Sequence, residues 1–348
     1  MSVLLPTLPR AAPALRRTLR VNRRAVLVCV ALLACTLVLG VATVVIGSLG
    51  IGLSDLPTVV AGRGSRAQEW VLFSNRLPRL LVAVGAGAAF AVSGSIFQSV
   101  TRNPLGSPDV IGLGAGAAAG GAAATLLWPG VVPVPVGALI GGLVAAAVVL
   151  VGAGSGLLAP YRMVVVGIAV GAMAIAFVQF VLARTTQQVA QQLAAWLNGS
   201  LQARQWRDVV TIAVALAVLL PAALVLTRRL QILEMGDDAA AGLGVPPGRT
   251  RGLAIAVGVA LTAAAVTVAG PVAFVALTGP QIARRLTGSS GPGMVAAACT
   301  GATVLVAADL LAQHSPWGTQ YPVGVLTAGL GGIYLAFLLV REGRRGIA

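Results

Sequence analysis

The 348-residue sequence contains no lysine; its 24 basic residues are all arginine. A phosphate-binding P-loop needs its lysine, so this chain does not hydrolyse ATP by that route. There is one histidine, His314, which excludes a histidine cluster for a metal. The three cysteines, Cys29, Cys35 and Cys299, lie inside apolar runs without metal-ligand spacing and read as small packing residues. Charge is scarce overall, at 9% of residues against about 25% in a soluble domain. A membrane enzyme would need a nucleophile–base pair or a paired acidic motif, and Asp237-Asp238 stands alone. A stand-alone ion-driven carrier would want several charged groups at membrane depth, where only Asp309 qualifies.

What the chain has in quantity is apolar and small. It is 57% hydrophobic with 44 glycines, and its mean hydropathy is +0.94. A bilayer span takes about 20 apolar residues. Ten such spans are expected, at about 25–47, 77–100, 108–128, 134–153, 162–183, 208–227, 252–269, 271–286, 294–313 and 322–340. The fold class is therefore an all-α polytopic membrane protein. Residues 1–24 hold six arginines and read as a basic cytoplasmic tail before a retained first helix, because Ala25–Gly47 is too long for a signal-peptide core. The stretch RTTQQVAQQLAAWLNGSLQARQWRD, residues 184–208, reads as a surface helix whose tryptophans favour the membrane–water boundary. Residues 341–348 read as a second cytoplasmic tail.

Ten spans put both termini on one side. If that side is the cytoplasm, 17 arginines fall inside and seven outside, as the positive-inside rule requires. The arginines sit in short groups between apolar spans, a pattern that excludes nucleic acid as the partner. Gly/Ala-rich spans allow close helix packing. The proline breaks suit helices that line a cavity or are buried in protein. Spans 2–5 and 7–10 run in opposite directions, which suggests an inverted repeat. TRNPLGSP at 101–108 and TGPQIARRLTG at 278–288 are candidates for related span ends.

Polar residues within this apolar chain are the candidate functional groups. Arg76 and Arg79 precede the second span on the outer side, against the charge rule. Such arginines steer an acidic partner, or else anchor a helix end. LQILEMGDDAAAGLGV, within the loop 228–251, is too polar to span and would form a short amphipathic helix that another protein can hold, or a solvated connector. Asp309 near the outer end of span nine needs a partner or water. Gln98 and Gln179 would line a path or bridge helices. Arg102-Asn103-Pro104 ends the second span at the inner side.

Four stretches in order carry a family resemblance. They are RLPRLLVAVGAGAAFAVSGSIFQSVTRNPLGSPDVIGLGAGA, GDDAAAGLGV, GPVAFVALTGPQIARRLTG and ADLLAQHSPWGTQYPVGVLTAGLGGIYLAFLL. Together they resemble the FecCD-type iron-chelate permeases of ABC importers, over about residues 25–340. The resemblance implies a BtuC-like permease fold with an inverted repeat, in a bacterial plasma membrane. It implies a homo- or heterodimer, two ABC ATPase subunits that use the ATP, and an extracytoplasmic siderophore-binding protein. The permease itself would hold no metal or cofactor. It also implies that Arg76 and Arg79 dock the binding protein. The coupling loop to the ATPase would be Gly236, Asp237, Asp238, Ala239, Gly242, Leu243 and Gly244. The cargo implied is a ferric siderophore, with cobalamin or haem as the alternative. WLNGSL at 196–201 resembles the catecholate siderophore permeases and favours the first. Two positions depart from the pattern. Gln281 stands where the family usually has histidine, so no proton role is expected there. Gln313 stands where an arginine is frequent, which would suit a heterodimer.

Overall fold

The computed structural model describes residues 22–46, 51–154, 160–315 and 321–345, and those residues form helices and turns without a strand. The order is α1 Arg23–Val45, α2 Leu56–Val60, α3 Arg66–Trp70, a π-helical turn Val71–Arg76, and α4 Leu77–Thr101. A 3-10 turn, Pro108–Ile111, leads to α5 Leu113–Leu127, α6 Val134–Gly152, α7 Pro160–Arg184 and the surface helix α8 Gln187–Leu197. Then come α9 Trp206–Leu233, the short α10 Asp237–Gly242, α11 Pro247–Ala269, α12 Val275–Thr287, α13 Met294–Gln313 and α14 Val323–Arg345. We call the face where α1 ends apical and the face where α4 ends basal.

Among the described residues, seven helices are long and apolar enough to cross a bilayer. Two expected spans are shorter than drawn from sequence. The span placed at 108–128 becomes α-helical only at Leu113, after the 3-10 turn Pro108–Ile111 and Gly112 in the left-handed region at φ 71°. The span placed at 271–286 becomes helical only at Val275, after Gly270 at φ 73° and Phe274 at φ 68°. Proline beside each break, Pro108 and Pro271, denies the chain a regular start. Helix α14 continues to Arg345, into the stretch expected as the C-terminal tail. The expected N-terminal tail, residues 1–21 at least, lies outside the described residues.

The two short helices hold equivalent places. Helices α4 to α7 have 25, 15, 19 and 25 residues; α11 to α14 have 23, 13, 20 and 23. The first set starts at the apical face and the second at the basal face, as an inverted repeat requires. The matching breaks are therefore residues 102–112 and 270–274, each directly after the first helix of its half, rather than 101–108 and 278–288. Interrupted spans at corresponding places in two halves mark the working region of many transporters.

Helix α4 is the axis of the bundle, enclosed by α9, α11, α12 and α13. Glycine permits the contact: a Cβ on Gly94 would sit 1.7 Å from the carbonyl oxygen of Ala276 in α12, and one on Gly87 would sit 2.4 Å from that of Gly301 in α13. Without a hydrophobic drive between helices in lipid, such backbone approach supplies the packing energy. Buried hydroxyls add ties, as Thr262 donates to Ser93 Oγ and Ser93 to the carbonyl of Gly258, both at 2.7 Å. Cys299 is buried in α13, Cys29 half-buried and Cys35 exposed on α1, all without a disulfide.

Candidate functional site

Charged groups gather at the two ends of α4. At the apical end the π-helical turn delivers Arg76, and the first turn of α4 delivers Arg79. Arg76 donates to the carbonyl of Val44 at the end of α1. Arg79 faces α13, where its Nη2 meets Asp309 Oδ1 at 2.8 Å and its Nε lies 3.0 Å from Oδ2. Gln313, one turn along, donates to Asp309 Oδ2 at 2.8 Å. The side chains of Arg79 and Asp309 are only 12% and 2% exposed. The intramembrane carboxylate of Asp309 thus has a partner that the sequence reading assigned to docking. Arg79 spends its guanidinium inward, and Gln313 completes the same group.

The basal end is built differently. Arg102 caps α4 in the left-handed region (φ 50°), a conformation a non-glycine residue adopts when local bonds repay it. Here its own N–H is bonded to α4's last turn, and Asn103 accepts from the N–H of Leu105 at 2.8 Å. That turn places Arg102 Nη2 2.7 Å from Asp237 Oδ1, in the first turn of α10. Arg251 of α11 binds the same carboxylate with two nitrogens, at 2.7 and 2.8 Å, and is fully buried. Its hydrogen bonds hold Asp237 below the usual carboxylate range. Beside this cluster Ser99 donates to Glu234 Oε1 at 2.6 Å, and Arg284 of α12 reaches the same oxygen at 3.3 Å.

Helix α10 stands on these ties. Gly236 enters it at φ 117° and Gly244 leaves it at φ 77°, both positions that favour glycine. Ala240 and Val245 pack inward, while Asp238, Gly242 and Gly244 are exposed and Ala239 half-buried. Met235 and Leu243 are 69% and 61% exposed on either side. An acidic helix flanked by uncovered apolar side chains is a shape that another protein's groove can take.

The remaining polar residues separate into two groups. Gln281 Nε2 donates to Gln98 Oε1 at 3.1 Å and to the carbonyl of Pro104 at 2.8 Å, and Gln98 donates to the carbonyl of Leu277 at 3.0 Å. These two are buried bridges between α4, its following turn and α12. Gln179, by contrast, is exposed on α7. None of Gln98, Asn103, Gln179 and Gln281 lines the main cleft. That cleft, about 690 Å³, runs between α5, α7 and the break before α12. Its wall is glycine and apolar surface, from Gly112 and Gly167 to Pro271, with Asp109 as its charged residue. Sequence reading passed over both Asp109 and Arg251. An acid next to proline at the start of a short span was a usable signal for the first; only the tertiary fold reveals the second.

Together these features define a polytopic helical membrane protein with an inverted-repeat bundle, a cleft between its broken helices and a protruding acidic helix on one face. That is the class of a transporter's membrane subunit. The chain belongs to the FecCD transport family, whose profile matches residues 32–341. It is 40% identical to the ferric enterobactin transport system permease protein FepG of Escherichia coli (strain K12), over 93% of this chain and 99% of that one. It is 35% identical to the Fe(3+)-citrate import system permease protein YfmE of Bacillus subtilis (strain 168), over 95% and 100%. Among solved structures it is similar to a metal-chelate type ABC transporter in an inward-facing conformation, with TM-score 0.81 and 25% identity, covering 90% of this chain and 99% of that one.

Proposed function

We propose that the chain is the transmembrane permease subunit of an ATP-driven ABC importer. Its cargo is a ferric siderophore, passed from an extracytoplasmic binding protein into a bacterial cytoplasm. The observation that carries this reading is the near end-to-end match to a ferric enterobactin permease. The basal face is then cytoplasmic, in accord with its arginines, and both termini lie there. Residues 236–244 seat an ABC ATPase subunit, which binds and uses the ATP; the permease needs no cofactor. A second permease subunit, identical or not, faces the cleft and completes the path.

The binding protein docks at the apical end of α4. Arg76 offers it charge directly. Arg79, mostly covered, acts by fixing the end of α4 to α13 and by its field. The test is growth on defined chelates in an iron-limited host that lacks its own permease. Restored growth on ferric catecholates, dependent on a cognate ATPase and binding protein, is the expected result. Uptake of cobalamin or haem with no growth on any ferric siderophore would overturn the cargo.

A further inference from the structure

We propose that Arg102 is a positioning residue that fastens the coupling loop to α4, which makes α4 the rigid link between the docking face and the ATPase face. The inference rests on the reading above, that residues 236–244 seat the ATPase and that the Arg76 end of α4 receives the binding protein.

Helix α4 runs from face to face; at about 1.5 Å per residue its 25 residues span about 37 Å. Its apical end is fixed to α13 through Arg79 and Asp309. Its middle has no clearance, since Gly87 and Gly94 meet neighbouring backbones directly. A rod packed this closely moves as a body, with no slack to absorb a displacement. Its basal end grips the entry to α10 on both sides of the Gly236 hinge. Ser99 holds Glu234 before the hinge, and Arg102 holds Asp237 after it. Among the described residues, no hydrogen bond or ion pair links α10 to α5 or α7, the helices that wall the cleft. A displacement of α4 therefore reaches α10 directly, without passing through α5 or α7.

The two arginines on Asp237 have different duties. Arg251 is fully buried and binds with two nitrogens, so it is an anchor that holds in every state. Arg102 is 37% exposed and makes a single contact. Such a pair is weak enough to open and close, which a coupling element between two states requires.

The test uses the assembled transporter in lipid nanodiscs, with hydrolysis measured with and without loaded binding protein. Arg102→Ala and Arg102→Gln are expected to keep the ATPase bound and basal hydrolysis unchanged, while the stimulated-to-basal ratio falls toward one. Arg102→Lys should restore most of the stimulation, because one contact to one oxygen needs only a point charge. An unaltered ratio in Arg102→Ala, loss of the ATPase from that complex, or failure of Lys to rescue would each overturn the proposal. A separate arm replaces 236–244 with a flexible linker. ATPase that stays bound to that variant refutes the seat itself, whatever Arg102 does.

Discussion

The two ends of α4 solve the problem of a charged group in an apolar bundle in opposite ways. At the apical end one carboxylate, 2% exposed, meets one arginine and a glutamine between two core helices. At the basal end one carboxylate, 31% exposed, is shared by a buried arginine and a half-exposed one, on a helix of six residues between glycines. The first arrangement is a lock. Opening it would strand two charges where solvation is poor, and that penalty is large. The second is a joint, with one arm fixed and one arm open to exchange. Depth in the bundle, more than residue type, decides which a given Arg–Asp pair becomes.

The largest effect should come from breaking the lock. Arg79→Ala leaves Asp309 buried without a counter-charge, at a cost of roughly 3–5 kcal/mol. Thermal unfolding in detergent should show a large loss, and Arg79→Ala with Asp309→Asn should recover part of it. If Arg79→Ala is as stable as the unaltered chain, the lock does not exist. Next in size is Arg251→Ala, which removes two charge-assisted bonds and should cost about 2–3 kcal/mol. Arg102→Ala follows at about 1 kcal/mol or less, since its pair is partly exposed. Equal losses for Arg251 and Arg102 would erase the distinction between fixed and open arms.

Charge reversal sharpens the apical comparison in function. Arg76→Glu should weaken binding-protein docking, more at low salt than at high salt, without the instability of Arg79→Glu. A salt-independent effect would assign Arg76 a packing role only. The smallest effect concerns pH. Asp237 titrates lower in the folded chain than in the unfolded one, so its contribution is full above the ordinary carboxylate pKa of about 3.9. It is lost as pH falls through the lowered folded value. The stability difference between the unaltered chain and Asp237→Asn should hold from about pH 8 to about pH 5 and shrink only in stronger acid. A difference that fades near neutrality would contradict the geometry around Arg251.

Much of this architecture was legible in the sequence because lipid makes the rules strict. Apolar runs of span length, polar joints and proline breaks located ten helices, and four motifs located the family. The helix start at Val275 was hidden because apolar residues continue through 270–274, so hydropathy alone does not see it, whereas Pro108 and Asp109 stand before the start at Leu113. Helix α10 was legible from its acids and glycines, as a polar island. The partners of Asp237 were not: Arg102 lies 135 residues before it, and Arg251, 14 residues after it, reaches it only because the chain turns back into α11. The ion pair of Arg79 was hidden for the same reason: its outer position and charge were visible, while the carboxylate 230 residues away that it faces was not. Gln98 and Gln179 looked alike in sequence, and only packing separates a buried bridge from an exposed side chain.

The central claim is import of a ferric siderophore by an ATP-driven complex built on this chain. Proteoliposomes carrying the chain with its second permease subunit, its ATPase and loaded binding protein test it most directly. The expected result is accumulation of radio-iron presented as a ferric catecholate, requiring ATP and abolished by the 236–244 linker. Accumulation without ATP, or none for any ferric siderophore from a complex that accumulates cobalamin, would contradict it.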